Sequence, residues 1–147
     1  MYRILLVCTG NTCRSPMLQA LLKEKLKKFE KKVEVKSVGV SVGEGDKVTQ
    51  ESRQALKSYG IVIRHKPTQI KQEDLKRADI IITMTDELKN YFSDNICAYK
   101  IYSMRQAVGF NVPDPFGFGT RSYSECAAVL DKASDIIVEN LKQAGKI

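Results

Sequence analysis

Apolar positions along the chain follow two different periods, and the two periods alternate from its start to its end. Residues 2–8 are almost continuously apolar, which is typical of a strand buried on both faces of a parallel sheet. Apolar side chains then recur at helical spacing, which predicts a helix that starts at Pro16 and runs to about residue 29. Residues 33–38 alternate between apolar and polar side chains and predict a second strand.

The second half of the chain repeats this order of strands and helices. The predicted elements are a helix capped by Thr49 and ended by Gly60, a short helix over 71–77, a strand over 78–84, a helix over 86–92, a strand over 98–102 and a helix over about 122–143. A long loop is expected over 103–120. The predicted fold class is α/β: a single small three-layer domain over residues 1–147, with a four-stranded parallel twisted sheet flanked by about five helices.

Composition limits where the protein is expected to work. No apolar run approaches the ~20 residues that span a bilayer, and the first residues are typical of a strand rather than a signal peptide. The 4 cysteines are too sparse for an extracellular disulfide framework and favour a reducing compartment. We therefore expect a cytoplasmic protein with no membrane partner, in which Cys97 and Cys126 are small buried side chains.

The net charge of +7 indicates that anionic partners are favoured. Lysines gather at the end of the first predicted helix and in the turn after it, at positions 23, 25, 27, 28, 31 and 32. A solvated helix face is the interpretation that we prefer for this cluster, and no nucleic acid is expected as a partner.

The loop over 8–15 joins the first predicted strand to the first predicted helix. Ser15 is a good N-cap and Pro16 suits the first helical position, so the loop should end at a helix N-terminus. Backbone N–H groups and the positive end of the helix dipole would then converge on one point and bind a tetrahedral oxyanion. The predicted binding residues are Thr9, Gly10, Asn11, Thr12, Cys13, Arg14 and Ser15.

Cys8 is the candidate nucleophile, because it lies at the end of a strand and at the centre of this positive field. The donors that bind a phosphate would also stabilise a thiolate, and Arg14 can hold two phosphate oxygens with its planar guanidinium. Gly10 would let the backbone turn sharply, Asn11 would tolerate a left-handed conformation and fix the loop, and Ser15 would donate a hydrogen bond to Cys8.

Asp114 lies between two prolines in the long loop and is the candidate proton donor for the leaving group. In a second step the same carboxylate would activate the water that hydrolyses the cysteinyl-phosphate, with inorganic phosphate as the product. This chemistry implies no metal ion and no organic cofactor.

Two other uses of the loop are disfavoured on the sequence. Zinc binding by Cys8 and Cys13 lacks a second close pair of ligands. Nucleotide hydrolysis lacks the Gly-Lys-Ser/Thr that follows a phosphate loop of the Walker type. The Cys-x5-Arg spacing alone is weak evidence for catalysis, because it recurs by chance in many proteins. The evidence is strengthened by the strand before it, the Ser-Pro and helix after it, and the distant Asp-Pro.

With these residues identified, the segment over 7–17 resembles the signature of the low-molecular-weight protein tyrosine phosphatase family. The Asp-Pro-Phe run over 114–116 resembles that family's general-acid motif, and 37–39 and 78–84 resemble its later segments. The resemblance implies the phosphotyrosine protein phosphatase I-like fold and phosphorylated proteins as substrates.

By matching position, the resemblance implies that Cys8 is the nucleophile, Arg14 the phosphate binder and Asp114 the acid and base. It implies a substrate-binding role for Phe116. It also implies four residues that support the loop by hydrogen bonds, namely Asn11, Ser15, Ser37 and His65.

Two departures from the tyrosine-specific members bear on the substrate. Those members usually have a branched aliphatic residue where this chain has Thr12, and they tend to have an aromatic residue where it has Gly117. Both features resemble the bacterial protein arginine phosphatases of the family, although Ser41 lacks the aromatic side chain expected there in their pocket wall. We prefer phosphoarginine as the substrate residue and keep phosphotyrosine as the alternative.

Functions of other classes are also considered. Arsenate reductases share the fold and a similar loop, but they pass oxidation to a cysteine pair within one segment, whereas Cys97 and Cys126 are far apart in the sequence. A non-catalytic phosphate-binding module would not need Asp114. Within the loop, Cys13 is hypothesised to form a disulfide with Cys8 under oxidation and so protect the thiolate from over-oxidation.

Overall fold

The computed structural model describes all 147 residues. Its strands are β1 (Tyr2–Cys8), β2 (Val33–Gly39), β3 (Ile80–Thr83) and β4 (Ile101–Ser103). Its helices are α1 (Arg14–Leu26), α2 (Gln50–Lys57), α3 (Gln72–Arg77), α4 (Asp86–Tyr91), α5 (Met104–Val108) and α6 (Thr120–Gln143). The strands form one 4-stranded sheet in the order β2-β1-β3-β4, and every neighbouring pair is parallel. The predicted α/β class and parallel sheet are confirmed.

The continuous apolar run of β1 is buried on both faces of the sheet, as predicted. Ile4 and Leu6 face the larger core, which they share with apolar residues of α1, α2 and α6. Leu5 and Val7 face the smaller core, where Leu75 of α3 packs. Because helices cover both faces of the sheet, the side chains over 4–7 are apolar on both faces of β1, and its charged Arg3 lies at the partly exposed start of the strand.

Several boundaries differ from the prediction. The strand predicted over 98–102 is wrong in its first half, where Ala98–Lys100 form a 3-10 turn, because only Ile101–Ser103 pair with β3. α1 ends at Leu26 rather than near residue 29, and α6 begins at Thr120.

The continuous loop predicted over 103–120 is also wrong, because it contains α5. The hydroxyl of Ser103 accepts from the backbone N–H of Gln106, and the side chain of Gln106 accepts in return from the backbone N–H of Ser103. Gly109 ends the helix with a left-handed φ of 100°. This capping box followed by glycine is present in the sequence and would have identified the helix.

The strand order places β1 between β2 and β3, so the chain runs from β1 to β2 on one side and then crosses to β3 on the other side of β1. Open α/β sheets bind ligands in the crevice outside the carboxyl ends of the strands at such a point. Cys8 is the last residue of β1, and the loop over 8–15 therefore lies in this crevice. The backbone of Met84, just after β3, donates to the carbonyl of Val7 at 3.0 Å and accepts from the N–H of Val112 at 3.2 Å, which brings the loop after α5 to the same edge.

None of the helices is both long enough and apolar enough to span a membrane.

Candidate active site

The loop over 8–15 connects β1 directly to α1. The N-cap residue is Cys13 and α1 begins at Arg14, so the prediction of Ser15 as the N-cap and Pro16 as the first helical residue is wrong. The physical reason is that the hydroxyl of Ser15 is used inside the loop, where it lies 2.8 Å from the sulfur of Cys8. The first N–H groups of α1, which have no partner within the helix, still face the loop as an anion-binding terminus.

Asn11 is the centre of the loop's hydrogen bonds. Its φ is 57°, so the left-handed step falls at this asparagine and not at Gly10. Its Nδ2 donates to Ser15 Oγ at 2.8 Å and to Ser37 Oγ at 3.0 Å. Its Oδ1 accepts from the backbone N–H of Thr68 at 2.8 Å. A fully buried asparagine thus fixes the loop to β2 and to the segment after His65.

The direction of these hydrogen bonds determines what Ser15 does. Because Asn11 gives its two amide hydrogens to the two serines, each serine hydroxyl keeps its own hydrogen for another acceptor. Ser37 Oγ donates to Gln19 Oε1 at 2.6 Å. The acceptor for the Ser15 hydroxyl is then Cys8 Sγ, which also accepts from the backbone N–H of Asn11 at 3.2 Å. Two hydrogen-bond donors therefore converge on one buried sulfur, the geometry that a sulfur nucleophile and leaving group requires.

His65 closes the network from outside the loop. Its Nε2 lies 2.8 Å from Asn11 Oδ1 and 3.3 Å from Ser37 Oγ. Burial, and secondarily the charge of Lys23, lower the pKa of His65, so the ring is neutral near pH 7. Since Asn11 Oδ1 only accepts, the hydrogen of the neutral ring sits on Nε2. Ser37 and His65 therefore both lie within the hydrogen-bond network that was expected to support the loop.

Arg14 is buried, and its guanidinium is held from one side. Its Nη1 donates to the carbonyl of Val112 at 3.1 Å, whereas its Nε is buried without a partner in the protein. Its Nη2 lies 3.7 Å from a carboxylate oxygen of Asp114. The fork is thus oriented by one bond and keeps further N–H groups available for an oxyanion.

Asp114 lies above the loop at the mouth of the crevice. Its Oδ1 accepts from the backbone N–H of Phe116 at 3.1 Å and lies 3.7 Å from Cys13 Sγ. Its side chain is 49% exposed, so it can exchange protons with solvent. Burial and the nearby carboxylate raise the pKa of Cys13 to about 12, which makes it a neutral thiol and no rival to Cys8 as nucleophile. Phe116 is 66% exposed beside the crevice.

Gly39 is a residue of the site that the sequence did not identify. A Cβ at this position would lie 2.7 Å from the carbonyl oxygen of Thr9 and 3.0 Å from the Cβ of Asn11. The residues after it also bind the loop, since Val40 N–H donates to the Cys8 carbonyl at 3.1 Å and Ser41 N–H to the Thr9 carbonyl at 2.9 Å. The loop can lie this close to β2 only because position 39 has no side chain.

Gln19, Thr68 and Val112 were also missed. Gln19 carries a sequence signal, because it is the one buried polar residue among the apolar ones over 16–22 of α1. Thr68 and Val112 act through backbone groups, so their side chains give no signal.

The remaining cysteines are free and buried, as expected. Cys97 belongs to the smaller core and Cys126 to the larger one, on opposite faces of the sheet. They cannot form the cysteine pair that an arsenate reductase would need near Cys8.

Residues 3–146 match the family model described as low molecular weight phosphotyrosine protein phosphatase. The chain belongs to this family. A protein-arginine-phosphatase of Geobacillus stearothermophilus is 36% identical over 146 residues, with 96% of this chain and 97% of the relative covered. A structure of a low molecular weight protein tyrosine phosphatase from T. tengcongensis is 37% identical, covers 96% of this chain and 100% of its own, and has a TM-score of 0.89.

A third comparison concerns the reaction intermediate. A mutant of the YwlE arginine phosphatase whose active-site serine is phosphorylated is 29% identical, covers 95% of each chain and has a TM-score of 0.89. Its phosphorylated side chain supports a covalent phosphoenzyme mechanism in the family. The chain described here is thus a hydrolase of the low-molecular-weight phosphatase family.

Proposed function

We propose that this phosphatase removes phosphate from phosphoarginine side chains of proteins, with Cys8 as nucleophile, Arg14 as phosphate binder and Asp114 as acid and base. The observation that carries the catalytic assignment is the convergence at one crevice of a sulfur that accepts two hydrogen bonds, a buried guanidinium with an unpartnered Nε, and an exposed carboxylate. Thr9, Gly10, Thr12 and Cys13 complete the loop around the phosphate.

In the first step, the Cys8 thiolate attacks the phosphorus and the phosphorus–nitrogen bond to the guanidine breaks. The electron pair of that bond stays on the nitrogen, which takes a proton from the Asp114 carboxylic acid, so that the arginine side chain leaves as its ordinary guanidinium. Arg14 and the N–H groups at the start of α1 stabilise the charge on the phosphoryl oxygens.

In the second step, the Asp114 carboxylate takes a proton from a water molecule as the water oxygen attacks the phosphorus of the cysteinyl-phosphate. The sulfur–phosphorus bond breaks and its electron pair returns to Cys8, whose departure as thiolate is assisted by the hydrogen bond from Ser15. Inorganic phosphate is released, and both residues are back in their starting states.

Thr12 supports the choice of phosphoarginine. It is half-buried in the loop, and its Oγ1 lies over Gly10, 3.6 Å from where a Cβ would be, without a hydrogen-bond partner in the protein. A free hydroxyl there can accept from the N–H groups of a guanidinium, or orient the attacking water. An aliphatic side chain at this position would suit a flat phenyl ring instead.

The loop over 109–119, which carries Asp114 and is called the acid loop below, supports the same choice. Gly117 has a φ of 84°, a conformation that disfavours the aromatic side chain expected at this position in tyrosine-specific members. Phosphotyrosine is the second candidate, because Ser41 provides no aromatic wall and because a tyrosine phosphatase is among the relatives of similar identity.

A side-by-side assay tests the substrate assignment. Wild type and Thr12→Ile are assayed on peptides that differ only in carrying phosphoarginine or phosphotyrosine, and kcat/KM is measured for each. We expect wild type to prefer phosphoarginine and Thr12→Ile to shift the ratio toward phosphotyrosine. A wild-type preference for phosphotyrosine would overturn the phosphoarginine assignment while leaving the catalytic assignment intact.

We further infer that the enzyme acts on phosphorylated proteins in the cytoplasm, with inorganic phosphate as product and no nucleic-acid partner. The cytoplasmic inference rests on the presence of 4 cysteines, all of them free thiols, which suits a reducing compartment.

A further inference from the structure

A groove of about 390 Å³ lies between α1 and the segment over 60–65, away from the catalytic crevice. Apolar groups of Ala20, Ile61 and Val62 line part of it, and Val62 is 67% exposed. None of its lining residues belongs to the loop over 8–15 or to the acid loop. A ligand in this groove would therefore leave both catalytic loops open to substrate.

The charges around the groove are mostly cationic and only partly neutralised. Lys23 and Arg64 line it and form no ion pair, whereas Lys27 is paired with Glu24 at 2.7 Å. By contrast, Lys25 on the opposite side of α1 is neutralised by two aspartates of α6, at 2.6 Å and 2.8 Å. Lys23 is thus the one cation of α1 that forms no ion pair, and it lines the groove together with the unpaired Arg64.

The cationic surface continues beyond the groove toward the end of α1. A second cavity of about 170 Å³ shares Lys23 and Lys27 with the groove and adds Lys31 and Lys32. Two cavities that share two lysines, and that are lined by cations next to apolar side chains, match an extended ligand that carries several negative charges and at least one apolar group.

We propose that this groove binds an acidic segment of a partner polypeptide, with an aliphatic side chain seated on Ile61 and Val62 and carboxylates facing Lys23 and Arg64. Nucleic acid is the less suitable polyanion, because no phenylalanine, tyrosine or tryptophan lines the groove and the ring of its one histidine is held by hydrogen bonds to the catalytic-loop network. The peptide's aliphatic side chain, by contrast, uses the apolar part that phosphates would leave exposed to water.

The groove also contacts the network that fixes the catalytic loop. Gln19 and His65 both line it, and their inner atoms hydrogen-bond to Ser37 and Asn11. The pKa of His65 is lowered by burial and by the charge of Lys23. Carboxylates that bind at Lys23 and leave the burial of the ring unchanged would offset that charge and raise the pKa of His65, the 1 histidine of the chain.

Binding is tested by fluorescence anisotropy with a labelled peptide of alternating glutamate and leucine. The groove variant carries Lys23→Glu and Arg64→Glu, and the charge-matched control carries Lys76→Glu and Lys132→Glu, two exposed lysines outside the groove. We expect the groove variant to bind at least about tenfold more weakly than wild type and the control to bind nearly as wild type.

Several outcomes would overturn the proposal. An equal loss in the control would show that only net charge matters, and displacement by saturating inorganic phosphate would place the peptide at the catalytic loop. If an all-glutamate peptide bound as tightly as the glutamate–leucine peptide, the proposed apolar contact would be wrong. If a single-stranded oligonucleotide bound in the groove more tightly than the peptide, nucleic acid would be the occupant.

A second measurement follows the pKa of His65 directly. The imidazole signals of His65 are followed by NMR as pH is varied, with and without the peptide. We expect a higher pKa of His65 in the presence of the peptide and no such change in Lys23→Gln. An unchanged pKa in wild type with bound peptide would contradict binding at Lys23.

Discussion

Ser15 Oγ lies 2.8 Å from Cys8 Sγ, and Asn11 gives an amide hydrogen to the same oxygen at 2.8 Å. The hydroxyl of Ser15 therefore directs its own hydrogen at the sulfur in whichever role Cys8 takes, as attacking thiolate or as leaving group. A hydrogen bond to a charged group is worth about 1.5–3 kcal/mol, so its loss should be measurable in the rate.

Ser15→Ala is expected to lower kcat by about ten- to a hundredfold on an aryl phosphate, because the thiolate becomes a poorer leaving group. A burst of phenol should then precede the steady state, since breakdown of the cysteinyl-phosphate becomes slow. Rapid-quench kinetics measure the burst. Ser122→Ala, on α6, serves as the control, and Cys8→Ser should abolish turnover while retaining anion binding. Unchanged kcat in Ser15→Ala would contradict the role given to Ser15.

Asp114→Ala should lower the rate by about 10²–10⁴-fold on substrates with basic leaving groups, because the departing atom then lacks its proton donor. An aryl phosphate with an acidic phenol should lose less. The measurement is kcat across a series of aryl phosphates, and Asp94→Ala, an exposed aspartate on another loop, is the control. A loss that is the same for every leaving group would argue against Asp114 as the acid.

Gly39→Ala is expected to impair catalysis, because the new Cβ would lie 2.7 Å from the backbone oxygen of Thr9 and push the phosphate-binding loop away from β2. The cost of such overpacking is about 1–3 kcal/mol of stability. Gly43→Ala is a matched control: its Cβ would also lie 2.7 Å from an oxygen, but that oxygen belongs to the flexible side chain of Asp46. Thermal unfolding and kcat/KM are measured for both, and equal effects would disprove the role of Gly39.

His65 should make stability depend on pH. Its pKa in the folded protein is lowered, so the unfolded chain binds a proton more readily as the pH falls below about 6.5. The stability contributed by the neutral ring is therefore present above that pH and is lost as the pH falls toward the folded-state pKa.

The measurement compares wild type with His65→Gln in urea at about pH 7.5 and about pH 5.5. Glutamine keeps an N–H donor for Asn11 Oδ1 but does not titrate. We expect wild type to lose more free energy of unfolding over this interval than the variant does. A larger loss in the variant would contradict the lowered pKa.

Cys13→Ser tests the protective disulfide hypothesised between Cys13 and Cys8. Because the pKa of Cys13 is raised to about 12, it is a thiol in the resting enzyme, and a disulfide would form only after Cys8 has been oxidised to the sulfenic acid. After treatment with peroxide and then a thiol reductant, wild type should recover its activity and Cys13→Ser should not. Cys126→Ser is the control, and full recovery of Cys13→Ser would show that Cys13 does not protect Cys8.

Hydrophobic periodicity was sufficient to predict the fold. The apolar run of β1 and the helical spacing of α1 and α6 encode which faces are buried, and a buried-on-both-faces strand requires helices on both sides. The capping box at Ser103 was equally readable, although the loop prediction there overlooked it. The order of residues 8–15, together with Asp114, was sufficient to identify the candidate chemistry, because the loop is a local structure set by a strand end and a helix start.

Only the tertiary structure shows the contacts between residues that are distant in the sequence. Arg14 is oriented by the carbonyl of Val112, and the loop fits against Gly39 only because β1 and β2 pair in one register. A contact with a backbone carbonyl, or the close approach of a loop to a strand, cannot be predicted from the pattern of side chains in the sequence. The sequence suggested two roles for Ser15, a helix cap and a donor to the nucleophile. Its neighbours in the fold, Cys8 and Asn11, exclude the first role and fit the second.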